Sequence, residues 1–170
     1  MGAHHKHEQP TPPETIVVSI SAMSTSDQSI ADASGAAMYE RDYAAQALGI
    51  RLLEIRSGYA RMSMTVRKDM VNGHDICHGG MTFTLADTAF AYACNSRNQI
   101  TVASGCMIDF VVPARLDDIL TAEAEERALS GRTGVYDVAV TNQRVDLIAL
   151  FRGNSYRIKG HVIPGSEAKP

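Results

Sequence analysis

Between Met81 and Asn95 the chain reads MTFTLADTAFAYACN. Ala86, Ala89, Ala91 and Ala93 favour helix. Phe83, Leu85, Ala86, Ala89, Phe90, Ala93 and Cys94 put apolar groups on nearly every side of it, and Asp87 is its one charge. Such a helix must be wrapped by the rest of the chain. The flanking sequence is suited to wrapping. Arg51–Ile55 and Tyr59–Val66, with Gly58 at the turn, read as strands, the second alternating apolar with polar residues. Thr101–Val112, Ile119–Leu129, Gly134–Gln143 and Leu147–Ile158 read as four more, separated by Pro113, Asp117-Asp118, Ser130-Gly131 and Arg144–Asp146. No crossover helix lies among these four, so neighbours are expected to pair antiparallel. Another helix is expected over Ala31–Leu48, capped by Asp32 or Ser34 and ended by Gly49. Strands with segregated helices indicate an α+β domain in which the Asp87 helix covers the apolar face of the sheet.

The chain has 170 residues, which suits one domain. With 45% hydrophobic and 21% charged residues, wholesale disorder is excluded. A net charge of −3 gives no electrostatic case for nucleic acid as partner. No apolar run approaches the ~20 residues of a membrane span, so no membrane partner is expected. The odd set Cys77, Cys94 and Cys106 is not a disulfide framework. Met1–Pro13 is polar and lacks a signal-peptide core. These features point to a soluble, cytoplasmic protein. Residues 1–31 read as a disordered N-terminal extension, stiffened by Pro10, Pro12 and Pro13 and then rich in serine and threonine. Residues 32–162 form the domain and 163–170 a flexible tail. His4, His5 and His7 read as part of a solvated tail rather than as metal ligands.

The chemistry is concentrated between Asn72 and Asp87. His78-Gly79-Gly80 stands at the entrance of the apolar helix. Two glycines there leave backbone N–H groups uncovered at the positive end of the helix dipole, able to receive a carbonyl oxygen. The other reading is a tight turn that uses glycine for its freedom. A carboxylate amid apolar residues is costly unless paired or used. Asp87 is therefore a nucleophile or general base, or else it caps a backbone or pairs with an arginine such as Arg97. Gly79 and Asp87 are eight residues apart, roughly 12 Å along a helix. If both act on one bond they must come from different chains, so catalysis by this pair implies at least a dimer with two equivalent composite sites.

Asn72-Gly73-His74, Cys77-His78-Gly79-Gly80 and Leu85–Ser96 closely resemble the hotdog-fold acyl-CoA thioesterases of phenylacetate degradation (PaaI type). The resemblance runs from about Ala36 to His161 and includes Ser104, Ile108-Asp109-Phe110, Thr133–Asp137 and Ala149–Gly153. It implies a curved antiparallel sheet wrapped around a long central helix. It also implies homodimers with composite active sites that pair again into tetramers. It implies hydrolysis of (hydroxy)phenylacetyl-CoA-like or other aryl-acyl-CoA thioesters. The Gly79 N–H would polarise the carbonyl, the partner's Asp87 would attack or activate water, and Asn72 and His78 would orient the carbonyl or the water. Gly80, Phe110 and Arg115 are candidate substrate contacts. Ser104, or alternatively Thr88, is the hydroxyl expected near the carboxylate. No cofactor is expected, because CoA is part of the substrate.

Arg115, Arg132, Arg152, Arg157 and Lys159 are candidates for the CoA phosphates. Relatives often carry a basic residue before the proline that follows Asp109-Phe110; here it is Val112 before Pro113, and Arg115 is the nearest substitute. His74, Cys77 and His78 have a spacing that could hold a metal, but only Asp75 offers itself as a fourth ligand, so no metal is expected. Two other functions fit the same fold, a non-catalytic acyl-CoA binding module and a dehydratase or hydratase using His78 with Asp87. The intact set of Asn72, His78, Gly79 and Asp87 favours hydrolysis.

Overall fold

The computed structural model describes residues 25–166. Of the extension expected over 1–31, residues 1–24 with their three histidines lie outside the described residues, as do 167–170 of the tail expected over 163–170. The elements are α1 (Thr25–Tyr39), α2 (Tyr43–Leu48), β1 (Arg51–Arg56), β2 (Tyr59–Thr65), α3 (Gly79–Asn95), β3 (Thr101–Phe110), β4 (Ile119–Ser130), β5 (Thr133–Thr141) and β6 (Leu147–Arg157). A short 3-10 turn, Lys68–Met70, follows β2. The fold is α+β, with six antiparallel strands in one curved sheet and α3 against it.

The strand order is β1-β2-β4-β5-β6-β3. This corrects the expectation that sequence neighbours would pair throughout. β4, β5 and β6 do pair in sequence order, but β3 pairs with β6 at the far edge. The reason is α3. It crosses the inner face of the sheet, contacting β2, β4, β5, β6 and β3, and delivers the chain beyond β6. β4 then returns to the open side of β2, where Met62 faces Ala122 in register.

Alternation decides the inner face. Ala60, Met62 and Met64 of β2, Leu120, Ala122 and Ala124 of β4, Tyr136, Val138 and Val140 of β5, and Ala149 and Phe151 of β6 are buried there. Leu85, Ala86, Ala89, Phe90 and Ala93 meet them from α3. Small alanines let the helix sit close. Gly153 lets it sit closer still, since a Cβ there would lie 2.8 Å from the Phe90 ring. Phe90 packs edge-on to Tyr136 at 5.5 Å between centroids, and Phe83 to Phe151 at 5.6 Å.

The helix expected over Ala31–Leu48 is two helices. Asp42 breaks it, because its Oδ1 accepts the Ala45 N–H at 3.0 Å and starts α2 anew. Neither Asp32 nor Ser34 is a cap; both lie inside α1, which begins at Thr25. Thr25–Ile30, assigned to the extension by sequence, are thus helical, and Ala31 is wholly buried. Gly49 ends α2 at φ 71, as expected. At the other end, Ile163–Ser166 are held rather than loose. Asn98 Oδ1 accepts the Ile163 N–H at 2.8 Å, and Asn98 Nδ2 donates to Ser166 Oγ at 2.9 Å. No described helix is long and apolar enough to cross a membrane.

Candidate active site

The loop from Asn72 to His78 presents the start of α3. Asn72 Oδ1 accepts the His74 N–H at 2.9 Å, and Asn72 O accepts the Asp75 N–H at 3.1 Å. Asp75 takes φ 56, a conformation that aspartate tolerates in a turn. These bonds leave the Asn72 side-chain NH2 without an acceptor among the described residues. The loop closes on a Val71–Cys77 bridge, and its end is hung from two carbonyls: Ala114 O takes the Cys77 N–H and Met70 O takes the His78 N–H, both at 2.8 Å.

His78 is the N-cap of α3. Its backbone is extended, and its Nδ1 accepts the Gly80 N–H at 3.1 Å. The sequence suggested two open amides here, and this bond corrects that to one. Gly80 N–H is engaged by the cap, whereas Gly79 N–H has no acceptor among the described residues. Gly79 is required by crowding rather than by an unusual φ. A Cβ would stand 3.0 Å from Phe110 Cζ. The exposed ring of Phe110, at the end of β3, therefore packs against the Gly79 Cα.

Asp87 lies two turns into α3, on the stripe that runs Phe83, Asp87, Phe90, Cys94 and faces β3 and β6. The carboxylate is half-buried and has no hydrogen bond or ion pair among the described residues. Arg97, the partner considered from sequence, instead pairs with Glu126, Nη2 to Oε1 at 3.1 Å. Burial pushes the Asp87 carboxyl up from its ordinary value, with no cation to offset it. Across from it stands Cys106 of β3, paired with Gly153 and so on the helix side of the sheet. Cys106 is exposed, and partial desolvation first and the Asp87 charge second push its thiol up; buried Cys94 is pushed up to about 12. Sequence reading missed Cys106, because a bulge between Ala103 and Gly105 shifts the alternation of β3.

Thr88 Oγ1 donates to Thr84 O at 2.7 Å, down its own helix. Ser104 sits in the β3 bulge and donates to Asn154 O at 3.1 Å. Arg115 is exposed, and among the described residues only its backbone is engaged, its N–H and its carbonyl both by Asp118. Of the proposed phosphate ligands, Arg152 is committed to Asp137 by bonds of 2.6 and 2.9 Å, and Arg157 bonds Gln99. His74, Asp75, Cys77 and His78 form no group that could hold a metal. A hollow of about 310 Å³ lined by Met107, Asp109, Arg127, Asp137, Leu150 and Arg152 opens on the outer face of the sheet, away from Asp87.

Gly79 and Asp87 thus lie on one helix, too far apart to meet one carbonyl. β3 lies at the sheet's edge, and one side of its ten-residue backbone has no strand partner among the described residues. Val102, Met107, Phe110, Val111 and Val112, on or just after that strand, are exposed, Met107 to 61% and Phe110 to 56%.

Comparison with known proteins gives a concordant result. A family model described as Thioesterase superfamily matches residues 74–149. Acyl-coenzyme A thioesterase PaaI of Escherichia coli (strain K12) is 52% identical over 126 residues, spanning 74% of this chain and 90% of that protein. The solved structure of E. coli PaaI, from the phenylacetic acid degradation operon, superposes with a TM-score of 0.78 at 50% identity over 79% of this chain and 98% of that one. A mutant of the phenylacetic acid degradation protein PaaI from Thermus thermophilus gives 0.66 at 38% identity, over 69% and 100%. The sheet and its enclosed helix are therefore those of a hotdog-fold thioester hydrolase. The chain belongs to the thioesterase superfamily, among the acyl-CoA thioesterases of PaaI type.

Proposed function

We propose that the protein hydrolyses aryl-acyl-CoA thioesters of the phenylacetyl type to the free acid and CoA, in composite sites of a homodimer. The names of the PaaI relatives support the acyl-CoA substrate and the phenylacetyl direction. The observation that carries the reading is a pair of groups on α3 unanswered among the described residues, an N–H at Gly79 without an acceptor and a half-buried carboxylate at Asp87 without a partner.

In each site the Gly79 N–H of one protomer receives the thioester oxygen, with the α3 dipole behind it. Asp87 of the other protomer delivers oxygen to the carbonyl carbon, either its own or that of a water it deprotonates. The C–S bond breaks, and the sulfur leaves as a thiolate that takes a proton; where the oxygen is Asp87's own, water then hydrolyses the resulting anhydride, releasing the free acid and restoring the carboxylate. Asn72, with its free NH2, and His78, through its second ring nitrogen, orient the carbonyl or the water. Phe110, Thr88 and Ser104 line the acyl side, and Arg115 meets the phosphates of CoA. Two such dimers pair into a tetramer. The reaction needs no cofactor, since CoA arrives with the substrate.

Thiol release from phenylacetyl-CoA, hydroxyphenylacetyl-CoA, benzoyl-CoA and straight-chain acyl-CoAs tests the proposal. Preferred cleavage of the phenylacetyl thioesters is expected. Binding of all four without cleavage would make the protein a binding module.

A further inference from the structure

The geometry points to Asp118 as a positioning residue that sets the height of the Gly79 amide through the backbone of the Pro113–Asp118 loop. This rests on Gly79 being the carbonyl's donor. Asp118 is 3% exposed, at the entrance to β4. Its Oδ2 accepts the Arg115 N–H at 2.8 Å. Its Oδ1 accepts Gln143 Nε2 at 3.0 Å and Arg144 Nη1 at 3.2 Å. Burial pushes its carboxyl up, but these hydrogen bonds outweigh burial and hold it below its ordinary value.

Three connections leave this hub. Asp118 O takes the Val66 N–H at 2.8 Å, and Val66 O takes the Asp117 N–H at 2.9 Å, which ties the loop to the end of β2. Arg115 O takes the Asp118 N–H at 3.0 Å and folds the loop back on itself. Ala114, next to the clamped Arg115, is buried, and its carbonyl holds the Cys77 N–H at 2.8 Å. Cys77 stands two residues before Gly79. The carboxylate therefore fixes Arg115, Arg115 fixes the Ala114 carbonyl, and that carbonyl holds the loop end from which α3 starts. A donor displaced by a fraction of an ångström loses much of its hold on an oxyanion while ground-state binding changes little.

The test uses the full-length protein labelled with 15N-glycine, phenylacetyl-CoA as substrate, and the variants Asp118→Ala and Asp118→Asn. Asp118→Ala is expected to shift the Gly79 amide resonance and to lower kcat about ten- to a hundredfold with KM within about threefold, as misplacement of a donor requires. Asp118→Asn keeps one oxygen for the Arg115 N–H and is expected to fall between Ala and wild type on both readouts. If Asp118→Ala does not fold, Asp118→Asn carries the test alone. A folded variant with an unmoved Gly79 resonance overturns the clamp and leaves the Gly79 assignment standing. A moved resonance with unchanged kcat overturns both, because Gly79 is then not the donor.

Discussion

His78 Nδ1 accepts the Gly80 N–H at 3.1 Å, and this one bond selects which of two adjacent amides stays open at the start of α3. The helix is capped at its second residue, and the N–H of its first residue is left without an acceptor among the described residues. A polar end that would otherwise need water thereby becomes a single, fixed donor.

His78→Ala removes the cap and is expected to lower stability by about 1 kcal/mol in urea unfolding. His78→Asn, a good capping residue, is expected to return most of that stability. It is not expected to return turnover, because asparagine lacks the second ring nitrogen proposed to orient the carbonyl or the water. Recovery of both together would reduce His78 to a cap.

Asp87→Asn is expected to abolish thiol release while CoA still binds, a loss on the order of a hundredfold or more, as for removal of a general base. The same variant gains stability at neutral pH. The folded-state pKa of Asp87 is raised by burial, so the folded protein binds a proton more tightly than the unfolded chain. Wild-type stability contributed by this group is greatest in acid and is lost as pH rises through the raised value. The difference in melting temperature between Asp87→Asn and wild type is therefore expected to be positive at pH 7 and to vanish in acid. In wild type, kcat falls on the acid side at a pH above that of an ordinary aspartate.

Gly153→Ala is expected to destabilise the fold by about 1–3 kcal/mol, the usual range for overpacking a tight core. Its Cβ would stand within 2.9 Å of three atoms of the Phe90 ring, one turn along α3 from Asp87. Urea unfolding gives the stability change. Adding Phe90→Leu, which makes room for the methyl, is expected to recover part of it.

Sequence alone revealed what is local. The apolar run from Met81 to Asn95 gives α3, Gly49 gives the end of α2, and alternation gives β2 and β5, because each follows from neighbouring residues. Placement of β3 beside β6 was not legible, because it depends on where α3 delivers the chain. The split at Asp42 was missed because Asp32, Ser34 and Asp42 are equally able to cap, and only packing chooses among them. At the site, Gly79 and Asp87 were legible as types in an unusual place. That Gly80 was engaged is a local fact, a capping role for His78 two residues away that was not read from the sequence. That Arg97 belonged to Glu126 and that Cys106 faced Asp87 are non-local facts. Each depends on a side chain outside the local pattern or on a one-residue bulge that inverts the reading of a strand.

The central claim is that Gly79 and Asp87 of different protomers share one site. Gly79→Pro removes the amide hydrogen from the first helical position, where proline is well tolerated, and His78 already has the extended backbone proline demands. The exposed Phe110 ring, the free end of a side chain, can yield to the added carbons. Gly79→Pro and Asp87→Asn are each expected to be inactive alone. Co-expressed in equal amounts, half of the dimers are mixed and each mixed dimer has one intact site of two, so about a quarter of wild-type kcat should return under two-fold symmetry. No recovery in verified mixed dimers would show that the two groups do not meet across the dimer and would contradict the account.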